Sequence, residues 1–130
     1  KVFAIVSNQG GVEAGSVSGA DIEAKIEYVL RSVHDLAVKR GIRGVLYEKR
    51  LCYSNDEQNP MRKPNTGMID DILMKCKDTV MRGMNFSQLK GCSLMVGDAS
   101  GLPGQFSDSD KVCAENAGID YMDVITFVGK

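Results

Sequence analysis

The sequence predicts an α/β fold of three layers, with helices packed over both faces of a parallel sheet. Short apolar, partly β-branched runs alternate with longer stretches of helical periodicity, and glycine or polar turn residues stand at the junctions. No internal repeat, linker or low-complexity tract interrupts this order. At 130 residues the chain has the length of one domain, so residues 1–130 are read as a single core domain.

Residues 2–6, VFAIV, form a continuous apolar run, which predicts a strand buried on both faces. SNQGG then breaks the run. Across residues 20–41, Ile22, Ile26, Val29, Leu30, Val33, Leu36 and Ala37 recur at helical spacing. Ser18 is the expected N-cap of that helix and Gly41 its C-terminal stop. A second strand is expected at 42–47, IRGVLY, followed by a polar loop held by Pro60 and Pro64. Met68, Ile69, Ile72, Leu73, Cys76, Val80 and Met81 mark another amphipathic helix, whose methionines read as core packing. A third strand is expected at 93–96, a helix from about Asp108 to Ala117 stopped by Gly118, and a fourth strand at 123–128, DVITFV.

Composition narrows the function classes. Apolar residues are 43% and charged residues 25%, with no apolar segment long enough to span a bilayer and no signal-peptide pattern, so the expectation is a soluble intracellular protein, nuclear or cytoplasmic, without a membrane partner. The formal charge of −1 excludes the global basic field of a sequence-independent nucleic-acid binder, and any contact with phosphate must be local. Cys52, Cys76, Cys92 and Cys113 are widely spaced and contain no C-x-x-C, which predicts reduced, mostly buried thiols. His34, the only histidine, falls within the first helix and reads as structural.

In open parallel sheets, ligands bind beyond the carboxyl ends of the strands, where loops and helix N-termini gather. Ser7, Asn8 and Gln9, then Gly10 and Gly11, follow the first strand. Asp98, Ala99, Ser100 and Gly101 follow the third, while Arg62, Lys63 and Pro64 precede the second long helix. Singly, each has a plain structural account: Ser7 and Asn8 as turn residues, Lys63 as a solvated lysine, Asp98 as a cap or Asx turn. Jointly they supply a hydroxyl beside glycine-rich backbone, a compact cation and a hard oxygen ligand, which together describe a metal-assisted phosphate site. This predicts that positions 7, 63 and 98 meet around one anion-sized hollow.

As a set, VSNQGG, RKPNTGM and VGDASG…FSDSDKVCAENAGI resemble the second, third and fourth motifs of the haloacid dehalogenase superfamily of phosphohydrolases. Among its branches the polynucleotide 3′-phosphatase (kinase-phosphatase) type is the most similar, and the match is collinear over nearly the whole chain. The resemblance implies a Rossmann-like parallel sheet and a Mg²⁺-dependent phosphomonoesterase acting on terminal 3′-phosphates of polynucleotides through an aspartyl-phosphate intermediate. By the same likeness Ser7, aided by Asn8 and Gln9, binds the transferring phosphoryl group. Lys63 neutralises its charge, Arg62 lies close to the substrate phosphate and Asp98 is a Mg²⁺ ligand. Asp110 is favoured over Asp108 as the acid that orients the lysine or a metal-bound water.

The family's first motif, D-x-D-G-T, has no counterpart in the 130 residues, and with it go the nucleophile, the general acid and one metal ligand. In the family the strand bearing that motif is central, flanked by the strands that here end at Ser7 and Asp98, so the sheet is expected to lack its first central strand. Two expectations follow: a longer polypeptide that supplies a preceding segment, or a relative whose flanking strands pair directly and which binds phosphate without chemistry. A fused kinase domain is a further implied partner. The stretch CYSNDEQNPMRKP has one cysteine and no histidine where zinc-bearing small-molecule branches carry a metal loop, which favours a strand-end substrate over a small phosphomonoester, the alternative. Lys49, Arg50 and Arg62 are candidate strand-backbone contacts, though basic residues in loops are ordinarily solvated; Arg43, Tyr47 and Tyr53 carry no such signal.

Overall fold

The computed structural model describes residues 1–129, which form two compact units, Lys1–Glu57 and a second beginning at Gln58. Among the described residues no helix is long and apolar enough to cross a membrane.

In the first unit, strand β1 (Val2–Asn8), helix α1 (Gly19–Lys39) and strand β2 (Leu46–Cys52) form a β-α-β unit. The strands pair in parallel from Val2 opposite Leu46 to Asn8 opposite Cys52. Ser18 caps α1, its hydroxyl accepting from the Asp21 N–H at 3.1 Å. The chain leaves the helix through Gly41 at φ 72°, a left-handed position glycine takes without steric cost. Ile22, Ile26 and Leu30 are buried against Ile5, Val12, Tyr47, Leu51 and Tyr53, each fully covered aliphatic side chain contributing about 1.5–3 kcal/mol. Lys49 points to the same side of the sheet and pairs with Glu23 and Glu27, one turn apart on α1. Those carboxylates, Glu23 foremost, raise the Lys49 ammonium to about 12. His34 meets the Tyr47 ring edge-on, with centroids 5.5 Å apart.

The second unit holds α2 (Gly67–Asp78), α3 (Phe86–Gly91), β3 (Leu94–Gly97), α4 (Ser109–Ala117), β4 (Asp120–Asp123) and α5 (Val124–Val128). β3 and β4 pair in parallel, with Leu94 opposite Asp120 and Gly97 opposite Asp123. Met68, Ile69, Ile72, Leu73 and Cys76 give α2 a buried stripe, as their spacing predicts, and α4 buries Cys113, Ala114 and Ala117. Gly118, at φ 76°, ends α4.

Several expectations need correction. Among the described residues the strands form two two-stranded parallel sheets, β1–β2 and β3–β4, rather than one. The first strand is half-covered, with Phe3 at 37% exposure, because the pairing with β2 and the packing of α1 leave Phe3 and Ala4 open. The second strand lies at 46–52, not 42–47. Gly44 is at φ 70°, so the chain is still turning there, and the charged run Glu48-Lys49-Arg50 is accommodated by ion pairing on opposite faces of β2. The 123–128 strand is mostly helix: Asp123 Oδ1 accepts from the Ile125 N–H at 2.8 Å, and this cap outweighs the β-propensity of Val124 and Ile125. The helix expected to reach Met81 ends at Asp78, and α3, nucleated by an Asn85–Gln88 capping box, was not anticipated. The expectation of mostly buried, reduced thiols needs no such change: Cys52, Cys76 and Cys113 are free and buried, and Cys92 is free and exposed.

Candidate functional site

The loop after β1 gathers Ser7, Asn8 and Gln9 at the carboxyl end of the strand. Gln9 N–H extends the ladder to the Cys52 carbonyl at 2.7 Å, and Gln9 Nε2 donates to Ser7 Oγ at 2.8 Å. With Oγ accepting from Gln9, the hydroxyl proton is what Ser7 has to offer an oxygen acceptor. The glycine turn behind it is held by Asn55, whose Nδ2 donates to the Gly10 carbonyl at 2.8 Å.

Lys63 sits in a tight loop of the second unit. Its peptide bond to Pro64 is cis. The Arg62 N–H bonds the Asn59 carbonyl at 3.0 Å, that of Asn65 bonds Arg62 at 2.8 Å and that of Gly67 bonds Pro60 at 2.9 Å. A Cβ on Gly67 would lie 2.5 Å from the Pro60 carbonyl oxygen, a backbone atom that cannot swing aside. Gly67→Ala is therefore expected to destabilise the protein by about 1–3 kcal/mol, as overpacking does, and urea unfolding should show it as a lowered midpoint at unchanged m-value. The loop is also tied to α4: Cys113 Sγ donates to the Asn65 carbonyl at 3.4 Å and Asn116 Nδ2 to that of Pro64 at 3.4 Å. Burial pushes the Cys113 thiol up to about 11, so it is a packing group rather than a nucleophile.

Lys63 Nζ pairs with Asp110 Oδ1 at 2.5 Å, both side chains being nearly buried. Asp110 Oδ2 accepts from the Ala99 N–H at 3.2 Å, and the Ala99 carbonyl accepts from the N–H groups of Asp110 and Lys111 at 3.1 and 3.2 Å. One carboxylate thus grips both the lysine and the backbone just after Asp98. Gly97 makes room for it, since a Cβ there would lie 2.5 Å from Asp110 Oδ2. Asp108 stands at the N-cap of α4 and makes no side-chain capping bond. Asp98 follows β3 with its side chain exposed, and no helix begins there for it to cap.

Lys63, Asp110 and the Asp98 loop are brought together in the second unit, whereas Ser7, Asn8 and Gln9 belong to the first. Lys49 and Arg50 are strand residues rather than loop residues, and Arg50 Nη1 lies 2.9 Å from Glu48 Oε2. Among the described residues no group of three His, Cys, Asp or Glu side chains is arranged to hold a metal alone. Mg²⁺ does not require one: it accepts one or two carboxylates and fills its shell with waters and phosphate oxygens, so an exposed carboxylate such as Asp98 fits as one ligand.

Pattern reading missed Asp123. Its Oδ2 accepts from Ser100 Oγ at 2.6 Å and Gln105 Nε2 at 2.9 Å, and these bonds, Ser100 first, hold the carboxyl below its ordinary range. The signal was present as an aspartate two residues before a potential first-turn N–H, but it was absorbed into an expected strand.

The fold is that of the haloacid dehalogenase type of phosphatases. The chain superposes on the D,D-heptose 1.7-bisphosphate phosphatase of B. bronchiseptica, a structure complexed with magnesium and phosphate, with a TM-score of 0.60 and 22% identity over 92% of this chain and 53% of that one. Within that fold, the family model of polynucleotide kinase 3 phosphatase matches residues 1–126, and the chain belongs to this family. It is 35% identical over 117 residues to the bifunctional polynucleotide phosphatase/kinase of Schizosaccharomyces pombe, covering 90% of this chain and 24% of that protein. The chain thus spans about a quarter of that relative's length.

Proposed function

We propose that this chain contributes the phosphatase chemistry of an enzyme that removes terminal 3′-phosphates from polynucleotide ends with the help of Mg²⁺, in a polypeptide that also carries a kinase. The family match over residues 1–126 carries this reading. The chemistry of the residues agrees with it. Ser7 donates its hydroxyl proton to a phosphoryl oxygen, with Asn8 and Gln9 shaping the turn around it. Lys63 offers a fixed ammonium to phosphate oxygens, and Arg62 supplies a neighbouring planar cation. Asp110 orients the lysine through their ion pair. Asp98 is the carboxylate offered to Mg²⁺, which when bound neutralises charge on the phosphoryl oxygens. The aspartyl-phosphate route also requires an attacking carboxylate, and residues 1–130 contain no D-x-D-G-T to supply it.

A net charge of −1 suits a short contact with a strand end rather than a long cationic groove. The test uses the full-length protein: with Mg²⁺ it should release inorganic phosphate from a 3′-phosphorylated oligonucleotide and lose that activity with a chelator. Turnover of sugar or amino-alcohol phosphates in preference to the oligonucleotide would overturn the substrate assignment. Phosphate binding without turnover of either would overturn the catalytic one.

A further inference from the structure

Asp98 stands at the head of a loop whose order comes from a second carboxylate. Ser100 is 7% exposed, and its Oγ lies 2.6 Å from both Asp123 Oδ2 and the Tyr121 hydroxyl. A serine has one proton; given to the carboxylate, it leaves Tyr121 as donor to Ser100. Gln105 completes the circuit. Its Oε1 accepts from the N–H groups of Ser100 and Leu102 at 2.8 and 3.1 Å, while its Nε2 reaches Asp123 Oδ2. The other oxygen of Asp123 caps α5. Asp123 ends β4 directly opposite Gly97, so it fastens the Asp98 loop to the neighbouring strand.

We propose that Asp123, acting through Ser100 and Gln105, is the positioning residue that sets the Asp98 carboxylate for Mg²⁺. The inference rests on Asp98 being a metal ligand. Asp123 is not itself offered to the metal, because both of its oxygens are occupied by the loop and the helix cap. Its role is to keep the backbone of residues 99–102 from relaxing, so that Asp98 meets the ion without first paying the entropy of ordering its loop.

The experiment measures Mg²⁺ binding to the full-length protein by isothermal titration calorimetry, beside Mn²⁺ titration by electron paramagnetic resonance and thermal unfolding. Asp123→Ala should weaken metal binding about tenfold, while kcat at saturating Mg²⁺ stays close to wild type. Gln105→Ala leaves the α5 cap in place and should shift affinity in the same direction by less. Asp98→Asn serves as the reference. If Asp98→Asn binds metal as wild type does, the metal-ligand reading falls and the inference with it. If Asp98→Asn loses binding while Asp123→Ala and Gln105→Ala keep wild-type affinity, the positioning role alone is overturned, even if both unfold at lower temperature. Loss of kcat at every Mg²⁺ concentration in Asp123→Ala would instead make Asp123 a direct ligand and also overturn it.

Discussion

Replacing Lys63 by methionine should destabilise the protein by about 3–5 kcal/mol, the cost of stripping one partner from a buried ion pair. The side chains of Lys63 and Asp110 are 11% and 8% exposed, so water cannot take over the role of the lost cation. Asp110 would keep its bond from the Ala99 N–H but carry an uncompensated charge in a desolvated site. Its cheapest response is to turn outward, which releases Ala99 and the loop behind Asp98. The diagnostic variant is the double change. Lys63→Met with Asp110→Asn removes the charge as well as its partner and should recover part of the loss in chemical denaturation. A double variant no more stable than the single one would show that the pair is not what holds the loop. If the lysine also neutralises the phosphoryl group, both variants lose turnover by about 10²–10³ in kcat, so stability and activity separate in the double variant.

The parts legible in the sequence were those in which a local pattern records a local cause. Ser18 and Gly118 announce helix ends because capping depends on residues three or four positions apart. Ile22, Ile26 and Leu30 announce a buried face because a helix buries every third or fourth residue. β2 was displaced for the opposite reason. Its Glu48, Lys49 and Arg50 read as a polar loop, and only partners at a distance, Glu23 and Glu27 on α1, make Lys49 compatible with a strand. The division into two sheets was hidden in a similar way, since an apolar run says that a strand is covered but not which edge it pairs.

The same contrast runs through the site. Asp98 stands out in sequence as an aspartate ending an apolar run, and Lys63 through its place before the second long helix and the motif resemblance. The Lys63–Asp110 pair spans 47 positions, and nothing local records it; the preference for Asp110 over Asp108 came from the family resemblance. Asp123 was invisible because its role depends on Ser100 and Gln105 reaching it across 23 and 18 positions. Sequence position thus singles out Lys63 and Asp98, whereas the groups that hold them are recovered only once the chain is folded.

Asp98→Asn should abolish phosphatase turnover in the full-length protein while leaving its unfolding midpoint unchanged, a combination that follows from where the side chain sits. Asp98 is exposed, so exchanging a carboxylate for an amide of the same shape neither opens a cavity nor buries a new polar group. The neighbouring fixtures, Asp110 on Ala99 and Gln105 on Ser100, bond backbone atoms that the substitution does not touch. What changes is the charge and hardness of the oxygen that the proposed function offers to Mg²⁺, for which an amide is a poor replacement. Gly97→Ala, one residue earlier, is the opposite case. Its new Cβ would lie 2.5 Å from Asp110 Oδ2, forcing that carboxylate off Ala99 and Lys63, so stability and activity should fall together. Steady-state phosphate release and urea unfolding on both variants check the pair of expectations. Wild-type rates in Asp98→Asn would remove Asp98 from the metal, whereas equal stability losses in the two variants would mean that its carboxylate helps hold the fold.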